Sequence, residues 1–168
     1  MLVRAFALGA IAVVTPTAIM AQHSPYAHHA DRAVTSLSDE DVADILAGEG
    51  ASLALPAELN RFPGPKHVLE LADSFAVTQT QRGQVEREFA AMRDAAQRVG
   101  RLYVDAERAL DSLFRSTTVN EASLRAHLQT AEAHRAELRS IHLMAHVRVL
   151  AMLTDQQVHA YQRLRGYH

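Results

Sequence analysis

A long heptad pattern of apolar positions fills much of the second half of the chain. The pattern predicts a single helix over 79–114, about 54 Å long at 1.5 Å per residue. No small globular core surrounds a helix of that length, so it must pack in a hairpin or in a dimer. The steps alternate between four and three, which is the spacing of a seam packed against another helix. The seam positions are Val85, Phe89, Met92, Ala96, Val99, Tyr103, Ala106, Leu110 and Leu113.

A second amphipathic stretch follows a short break at residues 115–120. Thr118-Val-Asn-Glu121 has the spacing of a capping box and predicts the start of this second helix. Because the link is short, the two long helices must run antiparallel as a hairpin. The apolar positions of the second helix are Leu124, Leu128, Ala131, Leu138, Ile141, Ala145, Val149 and Met152.

Shorter helices are predicted on either side of the hairpin. Ser38 followed by three acids is typical of a helix start, and Gly48 indicates where that helix ends. A short helical piece is predicted over 54–60, and Pro65 is the predicted first residue of a helix that runs to about Phe75. A last helix is predicted from Thr154 to about residue 166. The predicted fold class is therefore all-α, a long antiparallel helical hairpin with short flanking helices.

Composition and charge exclude several classes of function. Aromatic residues make up 5% and Trp is absent, which favours helices over a β-sandwich. The formal net charge of −2 provides no basic surface for nucleic acid. The absence of Cys excludes disulfides, thiol catalysis and Cys-based zinc sites. No catalytic or phosphate-binding motif is present, and long amphipathic helices offer no obvious deep pocket. We expect a non-enzymatic protein with no obligatory cofactor.

The N-terminal sequence predicts export. Arg4, an apolar run over 6–14 and Ala18-Ile-Met-Ala21 have the three-part layout of a cleavable secretory signal. An uncleaved membrane anchor is the alternative, and either would place the rest of the chain outside the cytoplasm. The predicted organisation is a signal peptide over 1–21, a flexible leader with His23, His28 and His29 over 22–37, short helices and a linker over 38–63, and a hairpin domain over 64–168.

A weak internal repeat marks the two ends of the hairpin. Val77-Thr-Gln-Thr-Gln81 resembles Leu153-Thr-Asp-Gln-Gln157: in both, an apolar residue precedes Thr-x-x-Gln and a helix follows. Taken alone, these are ordinary capping boxes in which Thr78 and Gln81, or Thr154 and Gln157, cap a helix. Their placement is more informative, because one copy opens the hairpin and the other follows it directly.

The two Thr-x-x-Gln repeats, which flank a long helical hairpin behind a predicted signal peptide, make residues 64–165 resemble the Spy/CpxP family and its heavy-metal-sensor branch. The stretches at 64–71 and at His142-Leu-Met-Ala-His146 look like that branch. The first repeat departs from the family motif, with Val77 for the usual Leu and Thr80 for the usual acid. The resemblance implies a periplasmic, curved, all-α homodimer. Its members bind unfolding clients without ATP, sense envelope stress, or bind metal and report it to a membrane-bound partner.

The pair His142 and His146 is a candidate metal site. Side chains four residues apart on a helix have Cβ atoms about 5–6 Å apart, so two imidazoles can share one ion. Imidazole suits Ni, Co, Cu and Zn. The pair is incomplete; the resemblance adds His67 and Glu70, although Leu71 lies where the branch has a second early His. Met144 should point away from both histidines.

Three functions remain open from the sequence. The His pair favours a heavy-metal-binding sensor or resistance protein of the envelope. The incomplete ligand set favours the alternative, an ATP-independent periplasmic chaperone that binds unfolded clients and suppresses aggregation. A purely structural coiled coil is the third. The two histidines, with His127 and His134, lie on the apolar half of their helix and therefore also suit a structural or pH-responsive role.

Overall fold

The structure is a computed structural model that describes Tyr26, His29 and residues 31–167. The predicted signal peptide at 1–21 and residues 22–25, 27, 28 and 30 of the leader, with His23 and His28 among them, lie outside the described residues. Within the described part the chain forms helices and no strands, as predicted. In chain order the helices are α1 (Asp39–Ala47), α2 (Leu55–Glu58), α3 (Pro65–Leu71), α4 (Gln79–Arg115), α5 (Glu121–Leu150) and α6 (Asp155–Arg165), with a 3-10 turn at Ala72–Phe75 between α3 and α4.

Helices α4 and α5 pack against each other as the predicted hairpin. The α4 seam faces inward: Val85, Ala96 and Tyr103 are buried. The predicted start of α5 is wrong by two residues. Asn120 is the N-cap and its side chain accepts a hydrogen bond from the Ser123 N–H, because the Thr118 hydroxyl instead lies 2.9 Å from the Ser116 hydroxyl within the turn.

Two apolar clusters hold the flanking helices on the hairpin. In the first, α1 lies across the middle of α4, where Gly100 permits the close approach, since a Cβ there would lie 2.7 Å from the Ile45 carbonyl oxygen. The second lies near the open end, where α3 and α6 meet both long helices. Its buried members are Val68, Phe75, Val85, Val149 and Tyr161.

The predicted flexible leader is too long at its C-terminal end. Val34 is buried in the first apolar cluster. Thr35 donates hydrogen bonds from its N–H and hydroxyl to Asp111, at 2.8 and 2.9 Å, and the Ser36 hydroxyl donates to Glu107 at 2.6 Å. These contacts span more than 70 positions in sequence, so local composition gave no sign of them. Residues 34–36 therefore belong to the packed domain.

Over the described range, every helix is either too short or too polar to cross a membrane.

Candidate functional site

The two Thr-x-x-Gln boxes both form, and they meet in space. The Thr78 hydroxyl accepts from the Gln81 N–H at 3.2 Å, and Thr154 does the same for Gln157 at 3.3 Å. In each box the Gln side chain accepts from the N–H of its own Thr. The sequence indicated these caps, but it did not indicate that the two boxes face each other.

The side chains of Gln81 and Gln157 form a reciprocal amide pair. Each Nε2 donates to the other Oε1 at 2.9 Å. The second N–H of each amide donates to the carbonyl two residues before the other box: Gln81 to Met152 at 2.8 Å, and Gln157 to Ala76 at 2.9 Å. This arrangement, the glutamine clasp, has approximate two-fold symmetry and closes the open end of the hairpin. Its role is structural.

A cavity of about 540 Å³ lies between the hairpin and the segment that connects α1 to α3. That segment folds back over α4 and α5 and forms the roof of this partly open cavity, which the sequence did not indicate. Three of the four predicted metal residues line the cavity together: His67, His142 and His146. Acidic side chains around it include Asp44, Glu49 and Glu58.

The fourth predicted residue, Glu70, is more than half exposed and pairs with His67, with its Oε2 2.8 Å from the His67 Nδ1. His67 and Glu70 lie one helical turn apart on α3, and their contact holds the His67 ring near the rim of the cavity. Met144 is exposed on the outer side of α5, as its position two residues from each histidine predicts.

His142 is almost completely buried, with 2% of its surface exposed. Its Nε2 is shielded from solvent and has no hydrogen-bond partner among the described residues. Burial lowers the pKa of His142, because the charged ring loses its hydration; neighbouring His146 lowers the pKa further, while Glu49 opposes the shift. The ring is therefore held in its neutral, electron-donating form.

His146 is held by the roof of the cavity. Its Nδ1 lies 2.7 Å from the Phe62 carbonyl oxygen. A carbonyl only accepts, so Nδ1 carries the ring proton of the neutral side chain and Nε2 holds the free lone pair. A Cβ on Gly64 would lie 2.9 Å from Cε1 and 3.1 Å from Nε2 of this ring. Glycine at 64 is thus required for close packing rather than for an unusual φ.

Glu58 is the central charged residue of the roof, and the sequence analysis missed it. Its carboxylate is buried and accepts hydrogen bonds from the Tyr161 hydroxyl, the Gly64 N–H and Arg165. It also lies 3.8 Å from Nδ1 of His146. Burial and the bond to Glu58 raise the pKa of Tyr161 well above its usual range. The only sequence signal was an acid that ends the apolar run at 53–57.

The donor types around the cavity suit a transition metal, but their arrangement is not that of a formed site. Across the described chain, no three His, Asp or Glu side chains are placed to hold one ion together. The imidazoles of His142 and His146 come from adjacent turns of α5.

Comparison with known proteins adds no family assignment. No family model matches the chain, and neither a curated protein nor a solved structure shows significant similarity to it.

Proposed function

We propose that this protein is a non-enzymatic helical binding protein of the Spy/CpxP type, exported to the bacterial periplasm, and that it binds a divalent transition metal ion at the His142–His146 pair. The observation that carries the proposal is the grouping of His67, His142 and His146 around one cavity. His142 and His146 are neighbours because of their spacing on α5, whereas His67, 79 positions before His146, reaches the same cavity through the fold.

The chemistry of the cavity supports a metal of the Ni, Co, Cu or Zn group. Neutral imidazole is a good ligand for all four ions, and burial keeps His142 neutral. Its Nε2 is a buried nitrogen with no hydrogen-bond partner in the part of the chain that the structure describes. A bound ion would satisfy that nitrogen, and the nearby carboxylates of Glu49 and Glu58 would balance its charge. The role as sensor or resistance protein then requires a change of shape or of affinity for a membrane-bound partner.

Calorimetric titration of tag-free protein with Ni²⁺, Co²⁺, Cu²⁺ and Zn²⁺ tests the proposal. The test variant is His142→Gln/His146→Gln, which preserves much of the buried volume. The control is His127→Gln/His134→Gln, on the same helix but outside the cavity and partly exposed. We expect stoichiometric binding of at least one ion, lost in the first variant and kept in the second. Absence of binding, or equal effects of the two variants, would refute metal binding at this pair.

Export is tested separately by the N-terminus of the protein recovered from the periplasm. A protein that begins at Gln22 supports the proposed signal peptide. Recovery in the cytoplasm with the N-terminus intact would contradict it. Sedimentation of the same material measures whether the proposed homodimer forms.

The second candidate is an ATP-independent chaperone, and the outer surface of the hairpin favours it. Large apolar side chains stand half exposed along α4 and α5, as weak binding of unfolded clients requires. Light scattering of a denatured client at stoichiometric protein measures the activity. We expect Leu102→Ser/Met144→Ser to reduce suppression of aggregation and Leu164→Ser, on α6, to leave it unchanged. The exposed positions on the hairpin are Leu102, Phe114, Leu128, Met144 and Val147.

A further inference from the structure

Lys66 is the only lysine of the chain, and all the other strongly basic residues are arginine. Its Nζ donates to Glu49 Oε2 at 2.8 Å, and both residues line the cavity that the histidines line. The hydrogen bond to Glu49 raises the pKa of Lys66 against the effect of partial burial, and the charges of Glu49, Glu70 and Asp44 raise it further. The ammonium group therefore occupies a region of negative potential, which would also stabilise a metal cation.

Glu49 lies between two of the candidate metal ligands. The next residue is Gly50, where a Cβ would lie 4.0 Å from the His142 Nδ1, so the backbone that follows Glu49 lies beside this ring. Burial lowers the pKa of His142, and the charge of Glu49 is close enough to oppose that shift. On its other side, Glu49 pairs with Lys66, which directly precedes His67 on α3. The fold therefore places the Glu49 carboxylate between His142 and His67.

A carboxylate is the ligand that the histidine pair lacks. The two imidazoles of His142 and His146 supply half of the ligands of a four-coordinate ion, and a carboxylate oxygen is a common third ligand beside two histidines. Glu49 is held instead by Lys66, with 31% of the Glu49 side chain and 45% of the Lys66 side chain exposed. Both side chains can therefore change rotamer without unpacking the core. Because an exposed ion pair contributes little net stability, a metal ion can displace the ammonium group from it.

We propose that Glu49 is the carboxylate ligand of the metal ion and that Lys66 neutralises this carboxylate until the ion binds. This inference rests on the proposed metal binding at His142 and His146. The carboxylate is paired in both states, first with the ammonium group and then with the ion, while Lys66 moves into solvent. Lysine suits this exchange better than arginine, because its ammonium is a single point charge, whereas the planar fork of arginine can hold both carboxylate oxygens at once.

A double-mutant cycle tests the exchange. The proteins are the wild type, Glu49→Gln, Lys66→Met and the double variant, and the dissociation constants for Zn²⁺ and Co²⁺ are measured by calorimetry. The matched control is Asp44→Asn, which removes the same charge from the wall of the same cavity and leaves Glu49 and Lys66 unchanged. Because both members of the ion pair are partly exposed, the variants should fold as the wild type does.

We expect Glu49→Gln to weaken Zn²⁺ binding by more than about tenfold, since even the groups that only orient a metal ligand contribute that much. Asp44→Asn should weaken it clearly less, because only the charge is lost. Lys66→Met should tighten binding by up to about fivefold, the range of an exposed ion pair. In the Glu49→Gln background, Lys66→Met should change the affinity little. Simple repulsion between Lys66 and the ion would instead tighten binding equally in both backgrounds, and that result would overturn the exchange.

Two spectroscopic measurements follow the ligand and the lysine directly. The visible absorption of bound Co²⁺ should change in Glu49→Gln and stay the same in Asp44→Asn. Isotopically labelled lysine gives a single side-chain NMR signal, because Lys66 is the only lysine; Zn²⁺ should move this signal in the wild type towards its position in metal-free Glu49→Gln. Metal binding that Glu49→Gln weakens no more than Asp44→Asn does would overturn this inference and leave the histidine pair as the metal site. Absence of metal binding in the wild type would overturn both.

Discussion

The substitution Gln81→Glu separates the glutamine clasp from a simple helix cap. In an isolated capping box, Glu serves at this position as well as Gln does. In the clasp, the Gln81 amide donates to the Met152 carbonyl at 2.8 Å and to Gln157 at 2.9 Å. A carboxylate donates neither bond and places its negative charge against two oxygen acceptors.

The expected loss follows from those two bonds. Each intramolecular hydrogen bond contributes about 1 kcal/mol net, and the unpaired carbonyl adds to the cost, so Gln81→Glu should lower the free energy of unfolding by about 2–3 kcal/mol. In a domain of this size that corresponds to roughly 4–12 °C in Tm. The loss should shrink as the pH falls towards about 4.3, the ordinary pKa of Glu, because a protonated carboxyl again has an O–H to donate.

Urea unfolding followed by circular dichroism measures the change, with Ser123→Glu as the control. Ser123 is at the same position in the capping box of α5, which is exposed and contacts no second box. We expect Ser123→Glu to be neutral or slightly stabilising. If Gln81→Glu is as stable as the wild type at pH 7, the clasp contributes nothing beyond capping and the reasoning fails.

Two further predictions concern the cavity roof. Gly64→Ala should destabilise the fold by about 1–3 kcal/mol, since its Cβ would meet the His146 ring at 2.9 Å. Gly83→Ala, on the surface of α4, should instead stabilise the fold by about 0.5–1 kcal/mol. Thermal unfolding of both variants is the measurement, and equal effects would show that the backbone around Gly64 shifts freely. The folded-state pKa of His142 lies below its ordinary value of 6.5, so the unfolded chain takes up this proton first as the pH falls. The stability that the buried neutral ring contributes is therefore fully present above about pH 6.5. It is lost as the pH falls from there through the lowered pKa. Urea midpoints between pH 8 and pH 5 should decline less steeply in His142→Gln than in the wild type, and parallel curves would contradict the assignment.

The hairpin was predictable because its signals are local. The heptad seam of α4, the caps at Ser38, Thr78 and Thr154, and Gly48 all act within a few residues, and the helices begin and end close to the predicted positions. The capping spacing at Thr118 was misleading, because Asn120 two residues later is the better cap.

The cavity and its roof were not predictable, because their contacts are long-range. Glu58 meets Tyr161 across 103 positions, and Phe62 meets His146 across 84. Gly64, between two prolines, looks like a turn residue in the sequence, while its structural role is to admit the His146 ring. The candidate histidines were visible as a pattern; the residues that cover them were not.

The glutamine clasp also bears on how the ends of two helices fray. The starts of α4 and α6 are 76 positions apart, and helix termini ordinarily open independently of each other. Here the amide that caps one helix also satisfies the chain entering the other. Opening either terminus leaves the other amide with an unpaired donor, so the first turns of α4 and α6 should open and close together, as one cooperative unit.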